Sequence, residues 1–309
     1  MREFLLRLSE NKRLAPFIMH NGVSRRVARR FVAGETLDDA IVAAGEVNRA
    51  LQLASLDLLG ENVSDETGAR SAAAGYRAIF ERIARERLDA NVSLKLTQLG
   101  LDLSEDLCQE LLEGIVEHAS ALGNFVRIDM EGSAYTQRTV EMTKRVRAEY
   151  SAVGTVMQAY LHRAEQDVKD LLAAGCRMRL CKGAYQEPAE VAFAEKSDVD
   201  ANYVKLMKLL LPSGIYHGIA THDPAMIQAT KNFARENNIT SDKFEFQMLY
   251  GIRTDLQNQL VREGFRVRVY IPFGTDWFPY FMRRLAERPA NVTFFLRNLL
   301  PRLSNGAKP

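Results

Sequence analysis

Residues 124 to 132 read NFVRIDMEG, a short run in which apolar residues give way to Asp129 and Glu131. A brief apolar and β-branched run of this kind is typical of a buried strand. It is one of seven such runs after residue 90, each separated from the next by a longer helical pattern. The other six are NVSLKLTQL (91 to 99), VGTVMQAY (153 to 160), CRMRLCKGAY (176 to 185), YHGIATH (216 to 222), KFEFQMLYG (243 to 251) and FRVRVYIPFG (265 to 274).

Short strands that alternate with helices predict repeated βα units and a parallel sheet. An eighth strand is available only at the end of RALQLASLDLLGE (49 to 61), where propensity alone favours helix, and the pattern leaves both interpretations open. Eight units would close into a TIM-type barrel. The first strand is not followed by a Gly-x-Gly-x-x-Gly motif, which argues against a doubly wound fold. Helices are expected before residue 49. Ser104 is expected to cap one barrel helix and Gly175 to end another.

The composition narrows the function classes. The chain has 309 residues, 47% hydrophobic and 26% charged, which is ordinary for a globular protein. Its 41 basic and 39 acidic residues give a net charge of +2, so no overall field favours nucleic acid. Three irregularly spaced cysteines, no secretory signal and no membrane-spanning run together predict a cytoplasmic protein.

One basic stretch has two interpretations. In VSRRVARRF (23 to 31) four arginines, Arg25, Arg26, Arg29 and Arg30, would share one side of a helix. A solvated helix face is the simpler interpretation. A weak contact with anionic lipid at the inner face of the cell membrane is the functional one.

Polar side chains occur where nearly every predicted strand ends, which is where such barrels keep their catalytic groups, whereas strand interiors are expected to be apolar. These side chains are Lys95, Asp129, Glu131, Gln158, Arg179, Lys182, Thr221, His222, Glu245, Gln247 and Tyr270. Buried cations are costly without a counter-ion. Lys95, Arg179 and Lys182, together with Arg283 and Arg284 further along the chain, carry more positive charge than Asp129 and Glu131 can neutralise. The excess predicts a ligand with a phosphate or carboxylate group at this end of the barrel.

Taken singly, these residues also have structural interpretations. Asp129 could pair with Arg127, and His222 could be a core histidine or cap the next helix. A metal site is not favoured, because His217 and His222 would face opposite sides of a strand. No Gly-x-Ser-x-Gly elbow supports a Ser-His-Asp set. A Schiff-base lysine at Lys95 or Lys182 stays open.

The stretch YFMRRLAERP (280 to 289) sets two arginines side by side. Neighbours on a helix point about 100° apart, so Arg283 and Arg284 cannot both follow one amphipathic stripe. A solvated helix end with Arg284 paired to Glu287 is the simple interpretation. The alternative is that the pair binds an anion.

The order of these motifs resembles the proline dehydrogenase family, flavin enzymes of proline catabolism, over roughly residues 30 to 295. The motifs are SLDLLGE, VSLKLTQLG, VRIDMEGS, VMQAYL, RLCKGAY, ATHDP, FEFQMLYG, VYIPFG and YFMRRLAERPAN. The resemblance implies an α/β fold, a distorted (β/α)8 barrel with N-terminal helices to about residue 48 and a last helix over the barrel mouth. It makes residues 1 to 309 one catalytic domain and LDLLGE the first strand.

The resemblance also implies an activity. Non-covalently bound FAD would oxidise L-proline to Δ1-pyrroline-5-carboxylate by hydride transfer from C5 and pass electrons to a membrane quinone. The chain shows no aldehyde dehydrogenase module, so a separate pyrroline-5-carboxylate dehydrogenase would be a partner. The rival interpretations are another FAD-dependent barrel similar to methylenetetrahydrofolate reductase, a Schiff-base aldolase and a non-catalytic anion-binding barrel.

Individual roles follow from the same resemblance. Asp129 and Arg179 match catalytic positions, and Glu61 resembles a gate that pairs with Arg284. The proline carboxylate would be held by Lys95, Arg283 and Arg284. Four residues resemble the walls of the family's pocket around the pyrrolidine ring: Tyr185, Leu249, Tyr270 and Tyr280. Tyr280 would also exclude hydroxyproline. The FAD contacts would be Met130, Gln158, Arg179, Lys182, Gly183, Ala184, Thr221 and His222.

Overall fold

The computed structural model describes residues 28 to 60 and 62 to 286, apart from the side chains at positions 283, 285 and 286. The strands are β1 Leu53–Leu58, β2 Ala90–Leu94, β3 Val126–Ile128, β4 Val153–Gln158, β5 Arg177–Cys181, β6 His217–Ala220, β7 Phe244–Leu249 and β8 Val267–Phe273. The α-helices of this part are α1 Leu37–Arg49, α2 Glu66–Glu86, α3 Glu105–Ala121, α4 Ser133–Glu149, α5 Ala164–Ala173, α6 Lys196–Leu210, α7 Pro224–Glu236, α8 Thr254–Arg262 and α9 Trp277–Ala286.

The eight strands form a closed parallel barrel in chain order, with β8 paired to β1. The predicted (β/α)8 fold is therefore confirmed. The helix favoured by propensity at the end of residues 49 to 61 is wrong, because Leu53–Leu58 is strand β1. Pairing with β2 on one side and β8 on the other gives this segment a ladder that outweighs the local helix preference of its leucines.

The helix-end signals are confirmed where they were predicted. Ser104 precedes α3, and its side chain accepts a hydrogen bond from the backbone N–H of Leu107 at 3.3 Å. Helix α5 has Ala174 as its C-cap, and Gly175 follows with φ of +66°, the left-handed conformation that commonly ends a helix.

The two faces of the barrel sheet differ in chemistry. Residues that point outward, such as Leu56, Val92 and Leu180, pack against the helices in two apolar clusters. Positions that share the inward face carry polar groups along the whole height of the barrel, and the expectation of an apolar strand interior is wrong. The buried or half-buried polar side chains of this face are Ser55, Asp57, Asn91, Ser93, Arg127, Arg177, Arg179, Glu245, Gln247, Arg268 and Tyr270.

Two interior glycines make room for these large side chains. A Cβ atom on Gly154 would lie 2.9 Å from Arg127 Nη1 and would overlap the backbone carbonyl of Arg177. A Cβ atom on Gly218 would overlap only the side chain of Gln247. Long polar side chains can therefore lie across β4 and β6 inside the barrel.

Candidate active site

Asp129 is the centre of a buried network at the carboxyl end of the barrel. It follows β3 directly, and its backbone N–H donates to the carbonyl of Leu94 at 2.8 Å, which fixes the carboxylate at the barrel mouth. One oxygen accepts from Arg179 Nη1 at 2.7 Å, and the other accepts from the hydroxyl of Tyr270 at 2.7 Å. The alternative pairing of Asp129 with Arg127 is wrong, because the Arg127 guanidinium donates to backbone carbonyls instead.

The guanidinium of Arg179 is held from several sides. Its Nε donates to Gln247 Oε1, and its Nη2 donates to Ser93 Oγ at 3.0 Å. The ring of Tyr270 lies 5.2 Å from its central carbon. Because side chains from three other strands hold it, together with Asp129 after β3, Arg179 is a rigid cation below the barrel mouth.

Lys95 forms an ion pair with Asp57, a residue that was not among the predicted site residues. Its ammonium nitrogen lies 3.1 and 3.4 Å from the two carboxylate oxygens of Asp57, which is almost fully buried. Burial raises the pKa of Asp57, the positive charge of Lys95 opposes that rise, and the negative charge of Asp129 adds to it. The alternation of polar Ser55 and Asp57 with leucines could have indicated both the strand and its inward face.

Lys182 also has carboxylate partners. Its ammonium group donates to Asp200 of α6 and, at 2.7 Å, to Asp223 at the start of α7. Lys95, Arg179 and Lys182 therefore each form an ion pair. The predicted excess of positive charge at this mouth is wrong for the described residues, because it left out the three carboxylates of Asp57, Asp200 and Asp223.

Glu131 is placed near the mouth but contacts a loop. Its carboxylate accepts from the backbone N–H of Thr97 at 3.3 Å and from the Thr97 hydroxyl at 2.8 Å. The side-chain amide of Gln158 donates to the Glu131 carbonyl at 2.8 Å. These bonds join the segment after β2 to the ends of β3 and β4, so they shape the rim of the mouth.

The predicted cofactor residues lie at the ends of β3 to β6. Met130 and Thr221 are buried, and Ala184 is exposed. Gly183 has φ of +122°, and the ring of Tyr160 lies where a Cβ atom would be. Only glycine fits there, so the backbone after β5 can come close to a ligand.

The two histidines have structural roles in the described residues. His222 Nε2 accepts from the backbone N–H of Leu249 at 3.0 Å, while Asp223 caps α7, so the cap proposed for His222 is wrong. His217 Nδ1 accepts from the backbone N–H of Met178 at 3.0 Å. Burial, with the nearby charge of Arg127, lowers the pKa of His217 to about 3. Within residues 28 to 60 and 62 to 286, no group of His, Cys, Asp or Glu could hold a metal ion.

Helix α9 carries the remaining predicted residues. Tyr280 is buried, and the guanidinium carbon of Arg284 lies 5.2 Å from its ring centroid. Trp277 Nε1 donates to Glu35 at 3.2 Å, which ties the helix to the segment before α1. Tyr185 and Leu249 are half-buried. The side chain of Arg283 and the whole of Glu61 lie outside the described residues, so the predicted arginine pair and gate are not placed here.

Comparisons with known proteins identify the family of the chain. A family model described as proline dehydrogenase matches residues 42 to 297. Proline dehydrogenase 1 of Bacillus subtilis (strain 168) is 44% identical over 300 residues, which cover 97% of this chain and 99% of that protein. Proline dehydrogenase of Deinococcus radiodurans is 40% identical over 279 residues, covering 89% of this chain and 90% of that protein.

Solved structures show a similar fold. The crystal structure of proline utilization A (PutA) from Bdellovibrio bacteriovorus, inactivated by N-propargylglycine, has a TM-score of 0.81 and 27% identity. It matches 85% of this chain, which in turn spans only 33% of that protein. PutA from Bradyrhizobium japonicum, at 23% identity and a TM-score of 0.74, shows the shared fold alone.

Proposed function

The chain belongs to the proline dehydrogenase family, and from that premise we propose that it oxidises L-proline to Δ1-pyrroline-5-carboxylate as one catalytic domain. The observation that carries this proposal is the pair of buried ion pairs at the carboxyl end of the barrel. Asp129 with Arg179, and Asp57 with Lys95, hold two cations in fixed positions. Such a site suits a small substrate with a carboxylate.

The residues present fit non-covalently bound FAD by their chemistry. Its ring carbonyls and phosphates need N–H donors and positive charge, and Arg179, Gln158 and the backbone at Gly183 supply donors beside the mouth. Lys182 already forms ion pairs with two carboxylates. We therefore assign it two roles: it would hold the loop after β5 in place, and it would lie beside the phosphates of FAD. When bound, FAD would supply a two-electron acceptor for the hydride that leaves proline C5.

Substrate binding is assigned to Lys95, Arg283 and Arg284, which would hold the proline carboxylate. The three N–H donors of an ammonium group allow Lys95 to bind Asp57 and a carboxylate together. Arginine suits the task because its planar fork can bind a carboxylate with two parallel bonds. Tyr185, Leu249, Tyr270 and Tyr280 would enclose the pyrrolidine ring, and Glu61 would close the site by pairing with Arg284.

The cations also favour the reactive form of the amine. Proline must lose hydride with its ring nitrogen as the free base, because the nitrogen lone pair stabilises the forming iminium. The charges of Arg283 and Arg284, added to those of the paired Lys95 and Arg179, would disfavour a protonated amine nearby. A carboxylate held by several charge-assisted bonds fixes C5 in place, so positioning carries much of the rate.

The electron acceptor and the partner belong to the same proposal. Electrons would pass to a membrane quinone at the inner face of the cell membrane, and a separate pyrroline-5-carboxylate dehydrogenase would oxidise the product. Among the described residues no helix is both long and apolar enough to cross a bilayer. Co-sedimentation with vesicles that contain anionic lipid and a quinone would measure the membrane contact.

Anaerobic titration with L-proline tests the proposal against its rivals. Purified protein should show a flavin band at about 450 nm that proline alone bleaches. A folate reductase would keep its colour with proline, and a Schiff-base aldolase would be colourless. Lys95 and Lys182 also form ion pairs with carboxylates, and an ion-paired ammonium group is not a nucleophile. A flavin spectrum that proline does not change would contradict the proposal.

A further inference from the structure

The charged groups inside the barrel do not balance at its amino end. Among the described residues, the strands and the residues that follow them point five cations and three carboxylates inward. The cations are Lys95, Arg127, Arg177, Arg179 and Arg268, and the carboxylates are Asp57, Asp129 and Glu245. Each carboxylate has one cation, at 3.1 Å for Lys95, 2.7 Å for Arg179 and 2.6 Å for Arg268. Arg127 and Arg177 are left without a carboxylate partner in this part of the chain.

Arg127 is deeply buried, with 2% of its surface exposed. Its Nη1 donates to the carbonyls of Thr155 at 2.9 Å and Arg177 at 2.6 Å. Its Nε is buried and donates to no described group. Burial, with the positive charges of Arg179 and Arg177, lowers the pKa of Arg127 to about 9. The side chain thus has a buried donor that no described group satisfies, and the carboxylate of Glu245 offsets only part of its charge.

Arg177, the first residue of β5, packs against the same aromatic ring as Arg127, that of Phe125. Its guanidinium carbon lies 4.4 Å from the Phe125 ring centroid, and that of Arg127 lies 4.9 Å from the same centroid. Tyr216 covers Arg177 at 4.9 Å. Burial also lowers the pKa of Arg177. Aromatic faces offset part of the cost of a buried cation but do not neutralise two of them.

Only the outer member of the pair, Arg177, is partly exposed at the amino end of the barrel. Arg177 is half-buried, whereas Arg127 lies deeper. Arg266 is exposed, and its guanidinium carbon lies 5.7 Å from the Tyr216 ring, so a further cation stands at the rim. Arg177 and Arg266 lie at the opposite end of the strands from Asp129 and Lys95. We therefore expect an anion to approach from this end, without passing the candidate active site.

We propose that a small oxyanion of the phosphate or carboxylate class binds at the amino end of the barrel, held by Arg127 and Arg177. Burial of a cation without a counter-ion is unfavourable, and a bound oxyanion would remove much of that cost. Two neighbouring guanidinium groups match the paired oxygens of such a ligand. The site is independent of the proposed oxidation of proline.

Calorimetric titration of the purified holoenzyme with inorganic phosphate, at ionic strength held constant with chloride, tests this site. We expect saturable binding of one phosphate per chain, and a melting temperature that rises with phosphate. A parallel titration with malonate shows whether the site prefers phosphate or carboxylate. Phosphate affinity should be the same with and without saturating L-proline, because the two sites lie at opposite ends of the barrel.

Arg177→Met should bind phosphate at least about tenfold more weakly, because it removes one charged fork and keeps an apolar stem between the two rings. Arg177→Lys should be intermediate, since it keeps the charge without the fork. Arg235→Met is the control and should bind as the wild type does, because among residues 28 to 60 and 62 to 286 Arg235 bonds only to Asn232 on its own helix.

Three results would overturn the proposal: no saturable binding to the wild type, wild-type affinity in Arg177→Met, or phosphate displaced by proline. Arg127→Met is not the main test, since it leaves two carbonyls without donors. If Arg177→Met does not fold, Arg177→Lys decides the question, and wild-type affinity in that variant would contradict the proposal.

Discussion

The two ends of the barrel interior use the same residue types in different ways. At the carboxyl end, Arg179 and Lys95 each have a carboxylate partner, and Arg179 also bonds to serine and amide groups. At the amino end, Arg127 and Arg177 lie against a phenylalanine ring and bond to backbone carbonyls. A cation fixed by a carboxylate is held ready for a substrate, whereas a cation without one needs a ligand for its own stability.

Removal of Asp129 should have the largest effect on stability, because it leaves Arg179 buried without its counter-charge. We expect Asp129→Ala to lower the free energy of unfolding by about 3 to 5 kcal/mol, measured by urea denaturation. Asp102→Ala is the matched control, since its pair with Arg138 at 3.0 Å is much more exposed. It should cost less than about 1 kcal/mol. Equal losses in the two variants would show that burial of the Asp129 pair does not matter.

Loss of an arginine at the substrate end should act on affinity instead of stability. Arg283→Met and Arg284→Met are each expected to raise KM for proline roughly a hundredfold or more, with FAD still bound. Steady-state kinetics and the flavin spectrum measure the two properties separately. Arg262→Met, on an exposed position of α8, should leave KM unchanged. An unchanged KM in both α9 variants would remove the role given to the arginine pair.

His217 reports on the charge at the amino end. Its pKa of about 3 in the folded protein lies below the ordinary 6.5, so the unfolded chain binds a proton that the folded one does not. The contribution of His217 to the free energy of unfolding is therefore fully present above pH 6.5. As the pH is lowered from 6.5 to about 3, this contribution decreases by roughly 1.4 kcal/mol per pH unit.

The variant His217→Gln should lose this part of the acid sensitivity, about 2 kcal/mol between pH 6.5 and 5. Denaturation curves at several pH values measure it. The exposed His162 gives the control His162→Gln, which should keep the wild-type slope. Bound phosphate should raise the pKa of His217, because the charges of Arg127 and Arg177 lower it. A slope unaltered by His217→Gln would contradict this assignment.

A single hydrogen bond to Arg179 should give the smallest effect. Ser93→Ala removes an acceptor that lies 3.0 Å from Nη2 and should cost about 1.5 kcal/mol, since the bond involves a charged group. The loss would appear in urea denaturation and in a modest fall in kcat/KM. If Ser93→Ala has wild-type stability and kinetics, Ser93 does not help to hold Arg179, and its bonds to Asp129 and Gln247 are sufficient.

The sequence allowed the fold to be predicted because seven strand runs alternate with helical patterns, and this information is local. Local propensity did not predict β1, which only the family resemblance indicated, because pairing with β2 and β8 decides that segment's structure. Asp57 was missed with it. The sequence predicted an excess of positive charge at the carboxyl end of the barrel. This prediction was wrong because it omitted the carboxylate partners of Lys182, which come from α6 and from the residue before α7. Such partners depend on how distant segments pack. The roles of Arg283 and Glu61 stay predictions from family resemblance.

The interior glycines constrain how this barrel can change its sequence. At position 154 the carbonyl of Arg177 fills the space of any side chain, so no second substitution elsewhere can compensate for a larger residue. At position 218 only the flexible side chain of Gln247 stands in the way. Positions 218 and 247 should therefore covary among homologues and in directed evolution, and each such change would alter the support of Arg179, whereas position 154 should stay glycine.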